Sequence, residues 1–155
     1  MNVLVDTSVW SLALRRTVGT AAPETHELTE LIHEGRVIML GAVRQELLSG
    51  IKTVQQFEKL RDVLRSFPDA PLGHEIHEEA AECFNACRKV GVQGSNTDFL
   101  ICAAAMHLNA AIFTTDNDFS EFARMLPLVL HAPRGTSGTS ERLKVTAIPQ
   151  TRRSN

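Results

Sequence analysis

The feature that most constrains this chain is an alternation: short apolar runs at residues 2–5, 37–40 and 111–114 are separated by stretches with helical periodicity. The first run is rich in β-branched valine and hands over to Asp6-Thr7-Ser8, the pattern of a buried strand followed by a helix capped by Thr7 or Ser8. Residues 24–34 carry Leu28, Leu31 and Ile32 at helical spacing and stop at Gly35. Residues 42–49 and 53–67 read as two helices split by Gly50; the second opens with Thr53 and Gln56 and is striped by Val54, Phe57, Leu60 and Leu64. Beyond the break at 68–73, residues 74–90 predict a long amphipathic helix with Ile76, Ala80, Cys83, Cys87 and Val90 inward, ended by Gly91. Asn96 or Thr97 then caps a helix over 98–108, and the third apolar run ends just before Asp116. A short helix over 118–125 and a last strand over 128–130 complete the pattern. Parallel strands joined by helix-length crossovers need cover on both faces, so the predicted fold is α/β: a three-layer α/β/α sandwich around a mostly parallel sheet.

At 155 residues the chain fits one compact domain with a real core. The expected division is a folded domain over 1–132 and a mobile or appended tail over 133–155, where Gly, Ser, Thr and Arg replace any periodicity. No apolar stretch approaches the roughly 20 residues of a membrane span, and the N-terminus lacks a basic region and cleavage site of a signal peptide. A cytoplasmic protein is expected. The three cysteines, Cys83, Cys87 and Cys102, are odd in number and lie in helical segments, so they read as packing residues. The histidines, His74, His77 and His131 among them, read as surface residues.

Net charge is −2, against the habit of proteins that bind phosphates, but the distribution is uneven. Residues 134–155 hold five cations against Glu141, leaving residues 1–133 with a balance of −6. Glu75, Glu78, Glu79 and Glu82 form the solvated face of one helix. Asp6, Glu46, Asp98 and Asp116 instead stand beside apolar residues, and Asp6 and Asp116 follow strands at the sheet edge where α/β proteins build their sites. Were the four carboxylates to converge at about 6 Å, each ionised pair would repel by about 3 kcal/mol. Six such pairs approach the stability of a whole domain. A cluster of that kind takes up protons or binds cations, and hard divalent ions prefer such oxygen ligands. The hydroxyl and amide side chains of Thr7, Ser8, Asn96 and Thr114 are placed to orient them.

Three segments together resemble the PIN-domain family, in particular the VapC toxins of bacterial toxin–antitoxin pairs. They are Val3-Leu4-Val5-Asp6-Thr7-Ser8-Val9-Trp10; Val43-Arg44-Gln45-Glu46-Leu47; and Asn96-Thr97-Asp98-Phe99-Leu100-Ile101-Cys102-Ala103-Ala104 with Ile112-Phe113-Thr114-Thr115-Asp116-Asn117-Asp118-Phe119. The resemblance spans about residues 1–130. It implies an Mg²⁺ or Mn²⁺ site lined by Asp6, Glu46, Asp98 and Asp116, with Asp118 as a fifth acid. It further implies an endoribonuclease acting on transfer or ribosomal RNA that arrests translation, an antitoxin that lays its tail near the site, and a homodimer. Residues 134–155 fall outside the family pattern. The absence of Tyr and the few exposed-looking aromatics leave no stacking platform for bases in view, and Trp10 reads as core.

Two other readings are carried beside this one: a non-toxin PIN ribonuclease of RNA processing or decay, and a catalytically silent PIN scaffold. A calcium loop at Asp116-Asn117-Asp118 is disfavoured because the required Gly and terminal Glu are missing. A phosphoryl-accepting Asp6 would want a second Asp where Ser8 stands, and no Gly-rich phosphate loop follows the first strand.

Overall fold

A computed structural model of the chain describes residues 1–15 and 22–135. Strand β1, Val3–Val5, lies between β2, Val37–Ile38, and β3, Ala111–Phe113, and both pairings are parallel. The register sets Val3 opposite Val37 and Ala111, and Val5 opposite Phe113. Helices α1, Thr7–Leu14, and α2, Pro23–His33, join β1 to β2. Four more carry the chain back past β1 to β3: α3, Gly41–Leu48; α4, Val54–Leu64; α5, His74–Lys89; and α6, Asn96–Leu108. The chain crosses one way from β1 to β2 and the other way from β2 past β1 to β3, and right-handed crossovers of opposite direction place helices on both faces of the sheet. The core lies between these layers, with Val3, Leu4, Val5, Trp10, Leu31, Ile101, Ile112 and Phe119 all sealed from solvent. The expected α/β architecture with a parallel sheet is the one observed.

Local departures have local causes. Beyond Ile38 the second run keeps only a bridge from Met39 to Asp69. The expected last strand is reduced to a bridge between Ile112 and Leu130, made by Ile112 N–H donating to Val129 O at 2.8 Å and His131 N–H donating to Ile112 O at 2.7 Å. Helix α4 ends at Leu64 rather than 67, and the Arg44 guanidinium takes up the Leu64 and Phe67 carbonyls while pairing with Asp69. Within its expected stripe Leu64 is buried, whereas Val54 and Phe57 face solvent. On α5, Ile76, Ala80, Cys83 and Cys87 are buried as expected, and Val90, just past the helix, is exposed. The three thiols are free and buried, and desolvation pushes each above the ordinary cysteine range. Trp10 packs edge-on against Phe67 in the core. Helix α7, Asp118–Met125, follows β3. Among the described residues no helix is long and apolar enough to cross a membrane.

The start of the expected tail is tied down. Arg134 donates through Nε to Glu27 Oε1 at 2.9 Å and through a terminal nitrogen to Glu34 Oε1 at 2.6 Å, and its backbone N–H reaches Glu27 Oε2. His131, read from sequence as a surface residue, lies 2.6 Å from Glu27 Oε1 and edge-on to Phe113. Residues 136–155 lie outside the described part of the chain.

Candidate active site at the carboxyl edge of the sheet

Asp6 follows β1 directly, and its N–H donates to Phe113 O at 2.8 Å as the last rung between β1 and β3. The helix α1 begins one or two residues earlier than the sequence suggests, because Asp6 itself is the N-cap and accepts from Thr7 N–H at 2.7 Å. Thr7 and Ser8 therefore lie inside the helix with their hydroxyls free for longer-range work. The Ser8 hydroxyl donates to Asp6 Oδ2 at 2.8 Å and accepts from Thr115 N–H at 3.1 Å. The Thr114 hydroxyl donates to the same Asp6 oxygen at 2.7 Å and accepts from Asp116 N–H at 3.0 Å. One buried carboxylate thus locks the ends of two neighbouring strands together.

Glu46 is brought to this edge by α3, and its Oε2 accepts from the Thr7 hydroxyl at 2.7 Å across 39 residues of sequence. Asp98 arrives on α6. The N-cap there is Ser95, not Asn96 or Thr97, and the two residues form a reciprocal capping box: Asp98 N–H donates to Ser95 Oγ, and Ser95 N–H donates to Asp98 Oδ2 at 2.9 Å. Asn96 and Thr97 are the first helical residues, with Asn96 exposed. The preceding loop is drawn onto the core at Gly94, where a Cβ would come within 2.5 Å of the Phe122 ring. Asp116 Oδ1 accepts from Asp118 N–H at 2.9 Å, so Asp118 contributes its backbone while its side chain stays exposed.

Electrostatics tie Asp98 to the rest. Burial pushes its carboxyl above the ordinary range, the Ser95 hydrogen bonds pull the other way, and the charges of Asp6 and Asp116 push it up further. Three acids from distant segments are therefore near enough to feel one another, and Glu46 is linked to Asp6 through Thr7. Among the described residues, no three acidic, His or Cys side chains stand close enough to hold one ion together. The donor set nonetheless suits a hard divalent cation: one oxygen of Glu46, Asp98 and Asp116 is oriented by a hydrogen bond, leaving the other without a hydrogen bond among the described residues. Mg²⁺ is commonly held by one or two carboxylates with water completing its shell, and ligating carboxylates are themselves hydrogen-bonded.

The family model described as the PIN domain matches residues 3–125, which includes every element around this edge. The chain belongs to the PIN-domain family. Two solved structures are similar to it: FitAcB from Neisseria gonorrhoeae, at 20% identity, covers 84% of this chain and 97% of its own with a TM-score of 0.67. VapBC2 from Rickettsia felis, solved bound to a DNA fragment from its promoter, shows 22% identity, 84% and 98% coverage, and a TM-score of 0.67. Identities this low carry the fold alone. No curated protein matches the chain significantly. In this PIN domain, the sequence singles out the acids and hydroxyls that lie at this edge but not Ser95, whose signal is the Ser-x-x-Asp spacing of a capping box in which aspartate replaces the usual glutamate.

Proposed function

We propose that this PIN domain is a metal-dependent endoribonuclease that acts as the toxin of a toxin–antitoxin pair and inhibits translation by cutting transfer or ribosomal RNA. The observation that carries the reading is the shared field of Asp6, Asp98 and Asp116, anions from three parts of the chain set together with no cation paired to them among the described residues. Asp6, Glu46 and Asp98 would hold an Mg²⁺ or Mn²⁺ ion, directly or through water in its shell, and Asp116 would complete the acidic pocket. A divalent ion at such a site activates water and neutralises charge developing on a phosphodiester. Thr7, Ser8 and Thr114 set the carboxylates' directions by the hydrogen bonds described above. The motif resemblance to VapC toxins supports a cognate antitoxin and a homodimer.

The test is RNA cleavage by purified protein with and without Mn²⁺, beside Asp6→Asn at matched folding. Loss of cleavage in the variant and on chelation is expected, with sequencing of RNA ends after brief expression to identify the target. Activity retained within about threefold, roughly 0.7 kcal/mol of barrier, removes Asp6 from the site. Millimolar Mn²⁺ should also raise the melting temperature of the unaltered chain, since an ion bound only by the folded state stabilises it.

A further inference from the structure

Asp98 and Asp116 reach the pocket from different elements, and both elements rest on one aromatic cluster. Phe99, the neighbour of Asp98 on α6, lies 4.8 Å from Phe122 of α7 between ring centroids, and Phe122 lies 5.2 Å from Phe119 on the same helix. All three rings are sealed from solvent. Helix α7 starts just beyond Asp116, which accepts from its first turn twice: Phe119 N–H donates to Asp116 O at 3.3 Å, and Asp118 N–H donates to Asp116 Oδ1 at 2.9 Å. From the other side Phe84 of α5 stands edge-on to Phe99 at 5.4 Å.

The loop leading into α6 is seated on this cluster at Gly94. A Cβ there would stand 2.5 Å from Phe122 Cζ, 3.2 Å from Phe122 Cε1 and 3.0 Å from Phe99 Cε2. The glycines with positive φ are Gly35, Gly50 and Gly91, so at Gly94 it is space rather than backbone angle that demands the absence of a side chain. Rings packed into a dense interior give way poorly, and overfilling shifts backbone instead. Ordinary contact at 3.4 Å would need a retreat of about 0.9 Å from 2.5 Å, more than the roughly 0.5 Å within which site groups must be held. The next residue is Ser95, which accepts from Asp98 N–H at 3.1 Å and donates its own N–H to Asp98 Oδ2 at 2.9 Å. A displacement at Gly94 therefore passes through one residue to the Asp98 carboxylate.

We infer that Gly94 and Phe122 are positioning residues of the acidic pocket: their contact fixes where the Ser95–Asp98 capping box stands relative to Asp116, and so the direction in which Asp98 meets a divalent ion. Both act through Ser95 and Asp98. The inference rests on the metal-dependent nuclease reading and extends it to what holds a ligand in place. Partners that orient a ligating group are worth about 10–100-fold in metal affinity.

The experiment reads Mn²⁺ binding to the full chain from the EPR signal of the free ion, RNA cleavage, and, without metal, amide hydrogen exchange at Ser95 and Asp98. Gly94→Ala should weaken Mn²⁺ binding about tenfold, lower kcat while KM for RNA stays within about twofold, and speed exchange of the two amides about tenfold. Adding Phe122→Leu removes the ring edge that Ala would strike, and should bring all three readouts back to within about threefold of the unaltered chain. Phe122→Leu alone takes the seat away instead of overfilling it and should weaken Mn²⁺ binding about threefold, which keeps the test open if Gly94→Ala does not fold. Gly35→Ala serves as the control: it strains a positive-φ position just before β2, at the amino end of the sheet, and should lower stability with Mn²⁺ affinity unmoved. Gly94→Ala that binds Mn²⁺ and cuts like the unaltered chain overturns the proposal. So does a loss equalled by Gly35→Ala, which traces it to stability, or a loss that Phe122→Leu does not repair. An unaltered chain that neither binds Mn²⁺ nor cuts RNA rejects the nuclease reading, while exchange quickened by Gly94→Ala and restored by Phe122→Leu retains the seat. Mn²⁺-dependent cleavage with exchange and affinity unmoved in Gly94→Ala does the reverse.

Discussion

Asp6 and Glu27 are 6% and 3% exposed, and the molecule treats these two nearly buried carboxylates in opposite ways. Glu27 on α2 is met by His131 and Arg134. Burial alone pushes its carboxyl up, but the hydrogen bonds from His131 and Arg134 and the Arg134 charge outweigh it and hold the group below the usual carboxylate range. Asp6 receives only neutral donors, Thr7 N–H and the Ser8 and Thr114 hydroxyls, and its charge reaches Asp98 strongly enough to help raise that carboxyl. Where the chain supplies its own cations, the acid cluster fastens the segment around residue 134 to α2. Where it supplies hydroxyls, the anions are oriented but not neutralised, which on the function proposed above leaves them for a cation from outside.

The contrast can be broken most severely at the sheet edge. Asp98→Asn should lower kcat/KM for RNA by about a thousandfold, on the order of 4 kcal/mol of barrier, while Glu27→Gln should leave cleavage near its original rate under conditions where both proteins are folded. Equal losses in the two would mean that the clusters do not divide structure from chemistry. Thermal and urea unfolding should reverse the ranking. Glu27→Gln is expected to cost about 3 kcal/mol, the low end for a broken buried ion pair because Arg134 is half-exposed.

Acid titration of stability sharpens the comparison further, because the two clusters carry opposite signs. The Glu27 carboxyl is lowered in the folded chain, so its stabilisation is present above the ordinary carboxylate pKa and is lost as pH falls through the folded value. The Asp98 carboxyl is raised, so without metal its ionisation opposes folding, and that penalty is relieved as pH falls through the raised value. Melting temperatures followed from neutral to acid pH should therefore drop less steeply in Glu27→Gln than in the unaltered chain and more steeply in Asp98→Asn. Slopes unchanged in both variants would show that neither carboxyl is linked to folding in this way. The smallest effect is expected at Ser95→Ala, about 1 kcal/mol of stability from loss of the α6 cap, read by chemical denaturation. Ser95→Thr should restore it.

Much of this was legible in the residues. The alternation of apolar runs and helical periods is a local property, and it predicted the parallel sheet and most of the helices to within a few residues. The acids stood out because a carboxylate beside an apolar strand end needs a reason to be there. Capping was read one or two residues off at both α1 and α6, since several adjacent polar residues can each cap a helix and only the path of the backbone selects Asp6 and Ser95. The stripe on α4 was misjudged because periodicity reports which residues share a face, not whether a neighbour covers all of it. Val54 and Phe57 lie beyond that cover.

By itself the sequence determined the strand–helix order, the inward faces of α2 and α5, and the identity of the acids that follow β1 and β3, because these depend on side-chain spacing along a single segment. Only the tertiary structure decided which partners each charge meets. Glu46 reaches Thr7, and Glu27 meets His131 and Arg134, each across many residues of chain. Coulomb interaction, hydrogen bonding and burial act through distances in space, and those distances exist only once the sheet has drawn its strand ends together.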